Sequence, residues 1–495
     1  MIGGLLNMMF GNKNNNNIDI TTASETDLAR LAFSAYNATN NKKRRDRMAK
    51  WVDFYFEKQL FYLNQKFADP DYVVKPKEIK KQPEFFNLTK FIIDKVAKVY
   101  HEPPKRDLEN ATDELKDYYS KMLENSNFDL TMQTANRLLK LCKNVAIRVV
   151  YRNNTIDFDL YTPNNYEILA NTENYKQADA VIYTRANPNV YDSGTNDKVE
   201  YVYFSKEKHF RFISDKNSTI TVMSDTNNAE NTNPYKTIPF IFLKEGYSLY
   251  SFFAEGGHEL IATNEILNEK LSEMNLLTRL QAFSILVMQG TDDKNLLTDP
   301  SQGLKIPADD EQRNNHKAYY ITPDPKIKDL QEDIMARLKR VAIEYGLSPD
   351  AFTTSAQKST AESLQLQAME ENKLIAGDRV MFSVFERQIF EMVKVINNYH
   401  FSLKELPMQF PDECELQLNY QDITAVETQE QDDMHNLLLL NNGLQTRAEW
   451  LMKINSDIKT IEEAEKILAI KEVAIDADTE DTDTGANTPD NQGQE

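Results

Sequence analysis

The apolar side chains of this chain change their period twice along its length, and that change limits the architectures open to it. Residues 87–100 carry Leu88, Phe91, Ile92, Val96 and Val99, a helical stripe that Pro103-Pro104 stops. From about 144 to 244 the pattern turns short and strand-like: Val145–Tyr151, a turn at Asn153-Asn154, Ile156–Leu160, Ala180–Thr184, Val199–Phe204, His209–Ile213, Ile220–Met223 and Ile238–Leu243. Helical spacing returns over 258–288, with Leu260, Leu267, Leu271, Met274 and Ile285 on one side. It recurs over 326–346 through Leu330, Ile334, Leu338, Val341 and Tyr345, and over a long helix from the Ser359/Glu362 capping box to about 398. The fold class is therefore mixed α+β, with strands gathered in one block instead of alternating with helices.

Between these blocks the punctuation is local. Residues 1–20 are low in complexity, with Asn at 14–17, and are expected to be disordered. Thr22-Ala23-Ser24-Glu25 reads as a capping box. An aromatic-rich segment, Trp51–Phe67, ends before Pro70, and helices fit 111–124 and 128–142. Residues 289–325 form a polar, proline-containing stretch, and Gly346 is placed to cap the helix before it. A strand fits Glu413–Tyr420. A helix to Leu440, a stop at Gly443, and helices capped by Thr446/Glu449 and Thr460/Glu463 close the folded part, before an acidic tail at 471–495.

With 57 Lys and Arg against 77 Asp and Glu, the net charge is −20. Such a chain does not wrap nucleic acid by counterion release. The basic run Lys42–Arg47 reads as a solvated helix face, with contact to an acidic partner or nucleic acid as the alternative. Two cysteines, Cys142 and Cys414, exclude a disulfide scaffold and any four-thiolate metal site. No run of 18 apolar residues predicts a membrane span, and Met1–Leu6 lacks the basic start of a signal peptide.

Motifs for chemistry are missing. There is no Gly-x-Gly-x-x-Gly and no Walker A loop. His258-Glu259 begins like a zinc-protease helix, but Ala262 stands where the second histidine belongs. Asp476–Glu480 begins like a calcium loop, but Asp481 and Asn487 occupy the positions that need Gly and Glu. No enzyme activity, metal or cofactor is expected; a hydrolase using dispersed carboxylates stays open as a lesser alternative.

Five segments in order resemble the portal proteins of tailed bacteriophages: Asn87–Tyr100 with Pro103-Pro104, Asn233–Phe240, His258–Gly290, Tyr345–Phe352 followed by Ser359–Ser363, and Asn442–Arg447 with Ile461–Ala464. The resemblance spans about 85–470. It implies a ring subunit with N-terminal helices and a β-rich wing (21–257), a first stem helix (258–288), a clip (289–325) and a second stem helix (326–346). A tunnel loop (347–359), a long wing helix and strand (360–423) and a helical crown (424–470) would follow. It implies a homo-oligomeric ring, usually of twelve, at one capsid vertex, through which double-stranded DNA passes without sequence specificity. The implied partners are the terminase large subunit, head–tail adaptors, and the major capsid and scaffolding proteins, and no membrane. A ring-forming adaptor without DNA contact is the alternative.

Duplex DNA carries a charge every ~1.7 Å of axis, so a strongly basic bore would hold it and an acidic or mixed one would let it slide. On the 258–288 helix, Glu265, Glu269 and Glu273 recur at four-residue spacing. They suit a lumen wall, an outer solvated face, or pairing with a neighbouring subunit's bases. In the implied tunnel loop, Ser355, Gln357 and Ser359 are small or polar, and Lys358 is placed either for brief phosphate contacts or as a free surface lysine.

Overall fold

The computed structural model describes residues 23–69, 82–184, 199–214, 219–223, 228–281, 285–289, 304–306, 317–321, 327–348, 352, 361–420, 437–440, 445–454, 461 and 464–468. The chain divides into two compact units, Met1–Thr360 with Glu370–Gln421, and Ala361–Met369 with Asp422–Glu495.

The larger unit opens with α1 (Glu25–Asn37), α2 (Thr39–Tyr55), α3 (Gln59–Ala68) and α4 (Leu88–Val96). The first cap falls on Ser24, whose Oγ accepts from Asp27 N, two residues beyond the Thr22 that the sequence pattern suggested. Strand β1 (Lys105–Glu109) precedes α5 (Asp113–Asn125) and α6 (Phe128–Cys142). Next come β2 (Asn144–Arg152), β3 (Thr155–Tyr161), β4 (Tyr166–Ala170), β5 (Ala178–Thr184), β6 (Val199–Ser205), β7 (His209–Ser214), β8 (Ile220–Met223) and β9 (Phe240–Lys244). These form two antiparallel sheets, β3-β2-β9 and β4-β5-β6-β7-β8.

The five-stranded sheet is buried on both faces, and the two-residue alternation shows how. Val181, Tyr183, Val202 and Phe204 face a cluster with Phe240, Phe252 and Phe253. Their neighbours Ala180, Ile182, Tyr201 and Tyr203 pack against Leu28, Ala29, Ala32 and Tyr36 of α1. The basic run is correspondingly not a solvated face. Lys42 and Lys43 are exposed, but Arg45 is buried, and Arg44 and Arg45 both donate to Glu167 of β4, at 2.7 and 2.9 Å. Each guanidinium also lies over an aromatic ring, Arg44 on Phe253 and Arg45 on Tyr36.

Helix α7 (His258–Gln281) is followed by β10 (Ile285–Gln289), β11 (Leu304–Ile306), β12 (Lys317–Ile321) and α8 (Ile327–Glu344). The helix expected over 258–288 is thus shorter than its apolar pattern suggests. It ends at Gln281, and Ile285 belongs to a strand, in keeping with the apolar run Ile285-Leu286-Val287-Met288. Strand β10 pairs in parallel with β11 and antiparallel with β12. The long helix α9 (Ala361–Ser402) and β13 (Glu415–Asn419) follow, and β13 pairs antiparallel with β1 across some three hundred residues of sequence. The main core joins α2, α4, α5, α6, β2, α7, α8 and α9 through side chains such as Trp51, Ile92, Tyr119, Leu139, Ile147, Leu267, Leu338 and Phe390.

A buried ion pair ties β1 to α9. Glu386, 1% exposed, accepts from Arg106 Nε and Nη2 at 2.7 and 3.0 Å and from Tyr100 Oη at 2.6 Å. Arg106 Nη1 reaches Asp129 at 2.7 Å. In the smaller unit, α10 (Arg447–Ile454) carries the predicted reciprocal cap: Thr446 N donates to Glu449 and Glu449 N to Thr446 Oγ1. Ala448 and Ala464 are buried there beside Leu451, Ile467 and Leu468.

Candidate functional site

Helices α7 and α8 form an antiparallel pair. Lys270 meets Asp333, and Glu259 lies 3.9 Å from Arg340, so the start of one helix faces the end of the other. Leu260, Ile261 and Leu267 of α7 and Ile334, Leu338, Val341 and Ala342 of α8 are buried in the core. Between the helices in sequence, β10 and β12 pair from Ile285↔Ile321 to Gln289↔Lys317.

The start of α7 is fixed by close packing. Gly257 has φ +81, and a Cβ there would lie 3.0 Å from both Leu141 O and the Trp51 ring. His258 stands edge-on to Trp51, with ring centroids 5.0 Å apart. Burial, with Arg47 adding to it, lowers the His258 pKa. Apart from that edge contact, His258 is exposed. Among the described residues no group of three His, Cys, Asp or Glu is placed to hold a metal.

One face of α7 carries Asn264, Asn268 and Ser272, all buried, at four-residue spacing. They hold the extended segment leading into α4. Asn264 Oδ1 accepts from Thr89 N at 3.0 Å and Thr89 Oγ1 at 2.8 Å, and its Nδ2 donates to Phe86 O at 2.8 Å. Asn268 Oδ1 accepts from Phe86 N at 2.9 Å, and its Nδ2 donates to Gln59 Oε1 at 2.7 Å. Ser272 Oγ accepts from Glu84 N at 2.9 Å. Side-chain amides thus satisfy backbone groups that a strand partner would otherwise take.

The acidic stripe lies one residue further round. Glu265 pairs with Lys50 of α2 and Glu269 with Lys66 of α3, while Glu273 is partly exposed. Two of the three acids therefore face bases of their own chain. At this exposure each pair stabilises by about 0–1 kcal/mol.

The end of α8 leads into a charged cavity of about 490 Å³ lined by Lys95, Lys98, Lys140, Lys143, Glu245, Glu344 and Asp378. Gly346 caps the helix at φ +68, and a Cβ there would come within 2.7 Å of Leu374 Cδ1. Leu347 N bonds back to Ala342 O at 2.8 Å. Lys140 bridges Glu245 and Asp378, 2.9 Å from each, and Lys143 reaches the other oxygen of Glu245. Burial works against the Lys140 ammonium, but Glu245 and Asp378 outweigh it and raise its pKa. Burial raises the Asp378 pKa, with Lys140 opposing. The Glu344 pKa is raised first by its hydrogen bond with Glu259 and then by burial. Further on, the Phe352 ring lies 4.9 Å from that of Phe91. Ser355, Gln357, Lys358 and Ser359 lie outside the described residues.

Sequence reasoning found the acidic stripe and missed the amide seam beside it. The available signal was Asn264, Asn268 and Ser272, three hydrogen-bonding side chains at four-residue spacing on a face bordering Leu260 and Leu267. Lys140 and its two carboxylates meet only through the fold.

Comparison with protein-family models and with curated proteins returns no match. Among solved structures, a chain described as "Neck of empty GTA particle computed with C6 symmetry" is similar at 9% identity and a TM-score of 0.37, over 72% of this chain and 85% of that one. No helix among the described residues is long and apolar enough to cross a membrane.

Proposed function

We propose that the chain is the repeating unit of a portal-like ring at the head–tail vertex of a phage-like particle, a non-enzymatic conduit for double-stranded DNA. One observation carries this reading. The antiparallel helices His258–Gln281 and Ile327–Glu344 enclose a strand-bearing segment and lead through Gly346 towards the long helix Ala361–Ser402. That is the order stem, clip, stem and wing that the sequence resemblance implies.

In this reading residues 289–325 dock the terminase and later the adaptors, and the loop with Ser355, Gln357, Lys358 and Ser359 stands nearest the DNA. Glu265, Glu269 and Glu273, with Lys50 and Lys66 laid beside them, give a wall of mixed charge that does not retain a polyanion. About twelve copies close the ring, seated among capsid and scaffolding proteins.

Negative-stain imaging of the purified full chain tests this: rings with a central opening just wider than duplex DNA are expected, and particles carrying the protein away from the DNA portal would overturn it. The intrachain pairing of Glu265 and Glu269 favours a second reading, an adaptor ring that never touches DNA. Lys358→Ala separates the two, since it lowers packaging yield in a DNA conduit and leaves an adaptor unaffected.

A further inference from the structure

Among the described residues β9 is an edge strand, bonded to β2 on one side only. Beside it runs α9, and the two border a groove of about 1100 Å³ whose apolar lining includes Phe240, Phe242, Met381, Val384, Met392 and Val395. Val384 and Val395 remain 47% and 43% exposed. The apolar surface continues into Tyr247, Leu249 and Tyr250, all exposed.

The charge lining the groove is basic, in a chain that is acidic overall. Lys176, Lys244 and Arg387 line it against one acid, Glu391, which already pairs with Lys394. The Lys244 ammonium sits 3.2 Å from the centre of the Phe252 ring, and that of Lys176 sits 4.9 Å from Tyr247. Among the described residues neither lysine has a carboxylate partner, and an apolar groove flanked by two such ammoniums fits a partner with apolar side chains around an acid.

The same unit presents that partner chemistry. At the corner between α2 and α3, Phe56, Leu60 and Phe61 are 53%, 39% and 60% exposed. Between them Glu57 is exposed and held at φ +66, in the left-handed region. A ring needs two different, mutually complementary patches on each copy. The exposed Tyr247–Tyr250 cluster cannot supply that acid, since it adjoins the groove and carries none.

We infer that the Phe56–Phe61 corner of one copy seats in the β9/α9 groove of the next, with Glu57 placed between Lys176 and Lys244. This rests on the ring reading above and names the surfaces that close the ring. Burial of the three apolar side chains supplies the attraction, and the charge triplet fixes the register.

The test is carbodiimide coupling in a mixture of ¹⁴N- and ¹⁵N-labelled full-length chains, read by mass spectrometry, together with sedimentation. Cross-links between Glu57 of one copy and Lys176 or Lys244 of another are expected. Glu57→Lys, or Lys176→Glu with Lys244→Glu, should weaken association at least tenfold, and combining all three should restore it. Circular dichroism checks folding. Should a reversal unfold, Glu57→Gln and Lys244→Gln give the same readout without a new charge. Rings without the cross-link, and with association unchanged in Glu57→Lys, overturn this interface while leaving the ring reading intact. Cross-links between copies that never close into rings uphold the interface and overturn the ring.

Discussion

Asn264→Ala removes one side chain of the amide seam without touching the apolar core beside it. Asn264 is fully buried and makes three hydrogen bonds, two from Thr89 and one to Phe86. Each lost bond costs about 1 kcal/mol net, and the groups left behind, Thr89 N among them, are buried and pay more. The sum is about 3 kcal/mol, near a hundredfold in the equilibrium for releasing the Glu84–Thr89 segment from α7. Amide hydrogen exchange reads this locally and does not require two-state unfolding of a 495-residue chain. The Thr89 amide should exchange about a hundred times faster in Asn264→Ala, whereas Glu265→Ala, which deletes only the partly exposed pair with Lys50, should change it less than about fivefold. If both variants leave the Thr89 amide equally protected, the seam is not what holds the segment, and the reasoning fails.

Glu386→Ala should destabilise by about 3–5 kcal/mol in chemical denaturation, because it strands the buried Arg106 guanidinium and the Tyr100 hydroxyl. Gly346→Ala should cost about 1–2 kcal/mol, from the left-handed backbone and the approach to Leu374; in a Leu374→Ala background only the backbone part should remain, which thermal unfolding of the four variants measures. Burial, with Lys176 adding to it, pushes the Lys244 pKa down from 10.5 to about 8. Between those values the unfolded chain binds the extra proton, so this residue's contribution to stability rises as pH increases through that window. Screening by solvent reduces the effect to about 1 kcal/mol. Wild type should gain that much relative to Lys244→Met between pH 7.5 and 10.5, and parallel pH profiles would contradict it.

Where an unbroken apolar period marked the core-facing side of an element, its sequence showed it. The 88–99 stripe put Leu88 and Ile92 inside, and the two-residue alternation from 144 to 244 located seven strands. Strand β4 escaped because Glu167 sits among Tyr166, Ile168 and Leu169; a lone carboxylate reads as a surface position until Arg44 and Arg45 arrive from more than a hundred residues away. For the same reason the Lys42–Arg47 run looked solvated. Strand β1 escaped because Lys105-Arg106-Asp107 is charged and its partner β13 is remote in sequence. Of the candidate site, the two helices and the Gly346 turn were legible. The amide seam and the Lys140 bridge were not, since polar side chains declare their burial only through partners that periodicity does not reveal.

The fold's ionic contacts divide into two populations that added salt tells apart. Arg44 and Arg45 with Glu167, and Arg106 with Glu386, are closed off from water, so a Debye length of about 8 Å at physiological strength scarcely reaches them. Lys50 with Glu265 and Lys66 with Glu269 are partly exposed and weaken as counterions accumulate. In concentrated electrolyte, such as the mobile cloud that accompanies condensed nucleic acid, the α2–α3 layer would relax its electrostatic grip on α7 while the buried guanidinium joints kept theirs.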